Sequence, residues 1–426
     1  MRKKRLLRAG KIIILFVLLA LLLVPNWPAF GEEEYQLQAI VGPNQFDFAV
    51  WETQALWTKA AAILAGGQYF LPEATRRQVV LDYLAAIQDS SRLSWEIEQL
   101  YVNPDVPDPN TASQPQQAAL AATRARMARL QPLAEAILQD QVAAVLRDEG
   151  LAAVGETWPP VLMHMTPLPS ILITSPRDKI ERQDQVSLAV GLTTPQKEAM
   201  ETAVYDQLDL SALVVPIGGL AVYPAMIMET SSINWLAEVT AHEWTHHWLM
   251  PYPVSLRYGT DPQVRTINET VASIVGKEVG AQVIARFYPE FVPPPPAPPA
   301  DPAPEADPNT FNFAAEMAAT RVRVEEMLAA GDIEGAEAYM EARRQVFVEN
   351  GYGLRKLNQA YFAFYGAYAD EPGATGADPI GPTLLALRDA SPSLKDFLQT
   401  VAWIGSFADL QQAAEEAGVG VTAVIP

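Results

Sequence analysis

The chain has 426 residues, 49% hydrophobic and 19% charged, with 35 prolines, four histidines and no cysteine. Its length can bury a sizeable core, and its apolar share excludes disorder throughout. The formal charge of −20 opposes nucleic acid as a main partner, and without cysteine any metal must rest on histidine and carboxylate.

The first 11 residues hold six basic side chains and no acidic one, and an uncharged run from Ile12 to Val24 follows. A basic segment ahead of an apolar stretch is the layout of a secretory signal, so residues 1–31 are expected to be a signal peptide or N-terminal membrane anchor. The expected location is therefore extracytoplasmic, secreted or anchored, with membrane contact through this segment only.

Residues 32–150 predict a helical N-terminal region. Trp51, Ala55, Leu56, Ala60 and Ile63 recur at helical spacing, as do Val79, Leu81, Tyr83, Leu84 and Ile87. A Pro-rich interruption from Asn103 to Gln117 precedes a helix pair expected over Ala118 to Asp148. Short β-branched runs then predict strands at Ser170–Thr174 and Val186–Val190. Two more, Leu213–Gly219 and Leu220–Pro224, read as strands joined by a Gly-Gly turn. The remainder is helical, interrupted by a Pro/Ala/acid-rich segment that reads as an extended, solvated insertion at 292–309. The fold class expected is α+β, mainly α, with a small mixed sheet.

Ala241-His242-Glu243-Trp244-Thr245-His246-His247 carries the chemistry, on a helix expected to start at Ser231 or Ser232 and to stop before Pro251. Histidines four apart share one helical face and can reach one cation, and Glu243 projects toward a water there. A chance match is expected in only about three such chains per thousand, so the three histidines gathered here point to a site. A catalytic metal needs a third protein ligand, and no histidine follows His247. The next helix supplies a carboxylate in Asn268-Glu269. Asp261-Pro262 suits its start, and Ala272, Ser273 and Gly276 form a small-residue stripe that lets it approach the histidine helix. Thr266-x-x-Glu269 also fits a capping box, and Glu278 is the rival ligand. His164 stands alone and reads as structural.

The pair His-Glu-x-x-His and Asn-Glu-x-x-Ala resembles the gluzincin clan of zinc metallopeptidases over roughly residues 213–290, and is most similar to predicted bacterial zinc aminopeptidases. The resemblance implies a thermolysin-like catalytic region over 151–426 and one zinc ion held by His242, His246 and Glu269. It also implies Glu243 as general base, a peptide or protein substrate, and Gly218–Pro224 as an edge strand that pairs with it. The oxyanion of such a reaction needs a further donor, which clan aminopeptidases take from a tyrosine. Tyr361 is the choice here, with Tyr365 and Tyr368 as alternatives. Two departures stand out: Ser273 occupies the position of a thermolysin-like aspartate, and Met228-Glu229-Thr230 only partly matches the clan's amine-binding strand. An aminopeptidase-like enzyme is thus favoured over an endopeptidase. The alternative is a catalytically degenerate gluzincin serving as a binding or assembly module.

Overall fold

The computed structural model describes residues 32–294, 311–367 and 378–419. Helices α1 (Glu33–Val41), α2 (Phe48–Ala65), α3 (Glu73–Val102), α4 (Pro109–Ala112) and α5 (Gln114–Asp148) come first. Where a helix pair is expected, α5 is one continuous helix with Pro132 inside it. Proline removes one backbone donor, but burial of the flanking Met127, Ala134, Ile137 and Leu138 holds the helix together across it.

Strands β1 (Ala152–Ala153) and β2 (Glu156–Thr157) form a small hairpin; β3 (Met163–Met165), β4 (Ser170–Pro176) and β5 (Gln185–Leu188) follow, then helix α6 (Thr194–Leu208). Next come β6 (Leu210–Val215), β7 (Gly219–Leu220) and β8 (Ala225–Ile227). One antiparallel sheet has the order β5-β4-β6, and a second, mixed sheet has the order β3-β8-β7. The Gly-Gly hairpin expected from the sequence is not formed. Strand β6 pairs with β4, whereas β7 belongs to the other sheet, so Gly218 and Gly219 mark a passage between sheets.

Helices α7 (Ile233–Leu249), α8 (Pro253–Leu256) and α9 (Pro262–Phe287) carry the motif residues. Ser232 caps α7, accepting the Trp235 N–H, and Asp261 caps α9, accepting from Gln263 and Val264. Beyond them lie α10 (Phe313–Ala329), α11 (Ile333–Glu349), α12 (Gln359–Tyr365), α13 (Ile380–Ala390), α14 (Leu394–Ala402) and α15 (Phe407–Glu416). The chain is thus mainly helical with small sheets, as its pattern predicts.

Alternation on the β5-β4-β6 sheet explains its place. Ile171, Ile173, Leu213 and Val215 face α10, α11 and α12, while Leu172, Val186, Leu188 and Val214 face α1 and α6. Both faces are buried, which is why β6 reads as a nearly continuous apolar run. The main core joins α3 and α5 to β3, β8, α7, α9 and the last three helices. The N-terminal helices therefore share a core with the motif helices.

The expected location requires correction. Among the described residues no helix is long and apolar enough to cross a membrane. The longest, α5, carries Arg124, Arg126, Arg129, Glu135, Asp140 and Arg147, charges that a hydrocarbon core excludes. Residues 1–31, on which the signal or anchor rests, lie outside the described residues, as do Tyr368 and most of the Pro-rich insertion.

Candidate metal centre

Helices α7 and α9 pack closely because α9 presents glycine where they meet. A Cβ on Gly276 would lie 3.0 Å from the Glu238 carbonyl oxygen and 3.1 Å from the His242 Cβ; one on Gly280 would lie 2.8 Å from the Glu238 Cα. This approach sets Glu269 against the two histidines. Nε2 of His242 and His246 are 3.1 Å apart, and the Glu269 Oε2 lies 3.7 and 3.5 Å from them. A circle through these three atoms has a radius of about 2.0 Å, the ordinary zinc–ligand bond length. Two imidazole nitrogens and one carboxylate oxygen at this separation could hold a metal ion.

The surrounding groups orient these ligands. Nδ1–H of His246 donates to the Asn268 Oδ1 at 2.8 Å, which leaves the Nε2 lone pair aimed at the site. Asn268 cannot rotate, because its amide donates to the Val254 carbonyl at 3.2 Å and the Ser255 Oγ at 2.9 Å. The Tyr258 hydroxyl donates to the Glu269 Oε1, fixing the carboxylate's other oxygen. Burial opposes charge on Glu269 and His246. Their mutual attraction prevails, holding the Glu269 carboxyl well below its usual range and raising His246 to about 9. A metal ion would replace that proton as the cation between them.

Glu243 is buried at 4% exposure, beside the triad. Burial raises its carboxyl above the usual range; His242 and His246 pull it partly back, and Glu269 adds to the rise. A carboxyl poised in this way suits a proton acceptor that must later return the proton. Its position depends on Gly219, the first residue of β7, where any side chain would overlap the Glu243 carboxylate. The β7 strand is an edge of its sheet, and the segment after it is pinned by His247, whose Nε2–H donates to the Val222 carbonyl at 2.9 Å.

These groups open on a cavity of about 320 Å³, walled by Gly219 to Val222, the triad and Glu243, and by Ile171, Arg182, Tyr258 and Phe364 from other elements. Comparisons of this chain with protein-family models, with curated proteins and with solved structures found no match. The site therefore rests on its own geometry.

The structure brings His242, His246, Glu269 and Glu243 together, and among the described residues the other candidates lie elsewhere. Glu278 forms a two-pronged ion pair with Arg388 of α13, at 2.7 and 2.9 Å, and turns away from the histidines. Tyr361 is not brought to the cavity: it packs in the core between the β5-β4-β6 sheet and α10–α12, its ring 4.5 Å from that of Tyr365, and its helical neighbour Phe364 faces the cavity instead. Glu229 is exposed and does not line the cavity. His164 bonds through Nδ1 to both Glu135 oxygens, 3.2 Å from each, in a buried network with Lys59.

Tyr258, the hold of Asn268 on His246 and the contact of Gly219 with Glu243 are not legible in the sequence. Asn268 stood beside the ligand carboxylate, one residue from it on the helix. Nothing in the spacing of Tyr258 marks it, because its role depends on the turn between α8 and α9.

Proposed function

We propose that this chain is a zinc-dependent peptidase with a gluzincin-type catalytic core. The observation that supports this reading is the His242–His246–Glu269 triangle, which could hold a metal ion, with the buried carboxyl of Glu243 beside it. Zinc held by these three side chains supplies Lewis acidity, which acidifies a water and polarises a carbonyl. The chain's own residues do the rest. The backbone of the edge strand β7 pairs with an extended peptide and lays its scissile bond along the cleft. Glu243 accepts a proton from the attacking water as the oxygen–carbon bond forms, then gives it to the departing nitrogen as the carbon–nitrogen bond breaks. Asn268 and Tyr258 keep His246 and Glu269 in their metal-facing orientations throughout.

The test is loss and recovery of peptide hydrolysis. Protein stripped by a chelator should be inactive on internally quenched peptides, and one equivalent of zinc should restore turnover. Glu269→Ala should weaken zinc binding, whereas Glu278→Ala should leave it intact. Full zinc content without turnover on any peptide would favour a binding module that keeps the metal.

A further inference from the structure

The cleft holds a positive charge that hydrolysis at the metal does not use. Arg182, on the loop between β4 and β5, lines the cavity half-buried. Its guanidinium lies over the Tyr258 ring, 5.4 Å from the centroid, and its Nη1 donates to Gln185 at 2.5 Å. Arg265 of α9 approaches the same ring at 5.7 Å; it is only 6% exposed, and its Nε donates to the Tyr258 carbonyl at 3.2 Å. Among the described residues neither arginine forms an ion pair.

Both arginines also line a smaller cavity of about 160 Å³, into which Arg182 leads from the metal cleft. The acids on that wall are engaged elsewhere: Glu181 pairs with Lys179, and Asp378 accepts the Ile380 N–H at 2.9 Å. Two neighbouring cations, one of them buried, therefore lack a matching anion, an arrangement that costs stability until an anion arrives. Burial and then Arg182 lower the Arg265 guanidinium to about 10, outweighing the opposite pull of Tyr258, Glu269 and Glu181.

We propose that Arg182, supported by Arg265, binds the C-terminal carboxylate of a peptide whose scissile bond lies at the metal centre. Guanidinium is the group best matched to carboxylate, through paired N–H donors. This inference rests on the peptidase reading and gives it a substrate class: peptides with a free C-terminus, from which one or a few residues are released. It departs from the aminopeptidase resemblance for a physical reason. Apart from Glu243 and Glu269, no acidic side chain lines the cleft among the described residues to hold a free amine.

The experiment compares two peptides that differ only in a C-terminal carboxylate or carboxamide, both N-acetylated. Wild type should cleave the acid about 10- to 100-fold more efficiently, the usual range for a charge-assisted hydrogen bond. The preference should appear mainly in KM, collapse in Arg182→Gln and survive in part in Arg182→Lys, which keeps the charge. Mass spectrometry should find the released fragment at the C-terminal end. Equal cleavage of acid and amide by wild type, or an unchanged preference in Arg182→Gln, would overturn the proposal while leaving the peptidase standing. If neither peptide is cleaved, calorimetric binding of the same two peptides decides. Tighter binding of the acid that Arg182→Gln removes supports the carboxylate site although the peptidase reading has failed; equal binding overturns it.

Discussion

At Gly219 an added methyl group would lie 2.8 Å from the carboxyl carbon of Glu243 and overlap its oxygen. The β7 backbone and the Glu243 carboxylate are packed so that no side chain fits between them. Gly219→Ala should therefore displace Glu243 and cut kcat by about 100-fold, the scale of a small misplacement at a reacting centre. Zinc content should remain at one per chain, since none of the three ligands is touched; loss of metal in this variant would contradict the assignment. Asn268→Ala should act on the other term. Without the acceptor at 2.8 Å, His246 loses its fixed orientation, and zinc affinity should fall by about 10- to 100-fold, measured by competition with a chromogenic chelator. An unchanged affinity would mean that packing alone holds the imidazole. Sequence spacing reveals the two histidines and Glu243 because an α-helix converts four-residue spacing into one face. It cannot reveal Tyr258 or Arg182, which meet the site only after two loops distant in sequence have folded against each other.

The element that makes the site possible is the glycine-lined contact between α7 and α9. Glycine inside a helix ordinarily weakens it, so Gly280→Ala in isolation should stabilise α9. Here the new Cβ would lie 2.8 Å from the Glu238 Cα and 2.9 Å from its nitrogen, backbone atoms that cannot rotate away. The variant should instead lose about 1–3 kcal/mol, the usual cost of overpacking, and bind zinc less tightly as the helices part. Urea denaturation checks the sign; a gain in stability would show that the contact yields. The sequence carried this element well, since Ala272, Ser273 and Gly276 mark a close face and Asp261-Pro262 marks its start. It carried β7 and β8 poorly. Two and three residues leave no alternation to read, and Gly219 looks like a turn until the Glu243 carboxylate is seen against it.

Across the whole molecule, the N-terminal helices are tied to the β3-β8-β7 sheet by a buried ionic network. Glu135 of α5 pairs with Lys59 of α2 and accepts the Met165 N–H of β3 at 2.7 Å. Burial pushes the Glu135 carboxyl upward, but Lys59 and His164 outweigh it and carry it down to about 2. A carboxyl depressed from 4.5 contributes stability that is fully present above about pH 4.5 and lost as pH falls toward 2. Unfolding free energies measured from pH 7 to pH 2.5 should fall through this window. Lys59→Met should cost about 3–5 kcal/mol near neutrality by leaving the buried carboxylate without its lysine partner, and should flatten that dependence. An undiminished pH slope in the variant would contradict the pairing.

The absence of cysteine limits the ligands of any metal to histidine and carboxylate, and helical spacing of apolar residues marks the mainly helical class. Neither reveals that α3 and α5 share the core of the motif helices, because amphipathic spacing shows that a face is buried without showing against what.

In the proposed reaction Glu243 moves the proton at the His242–His246–Glu269 centre. The most direct test is the rate of peptide hydrolysis by Glu243→Gln beside wild type, both loaded with one equivalent of zinc. The amide keeps the shape of the side chain and removes its basicity, so zinc occupancy should match while turnover falls by at least about 100-fold. Hydrolysis by the variant at the wild-type rate would contradict the account.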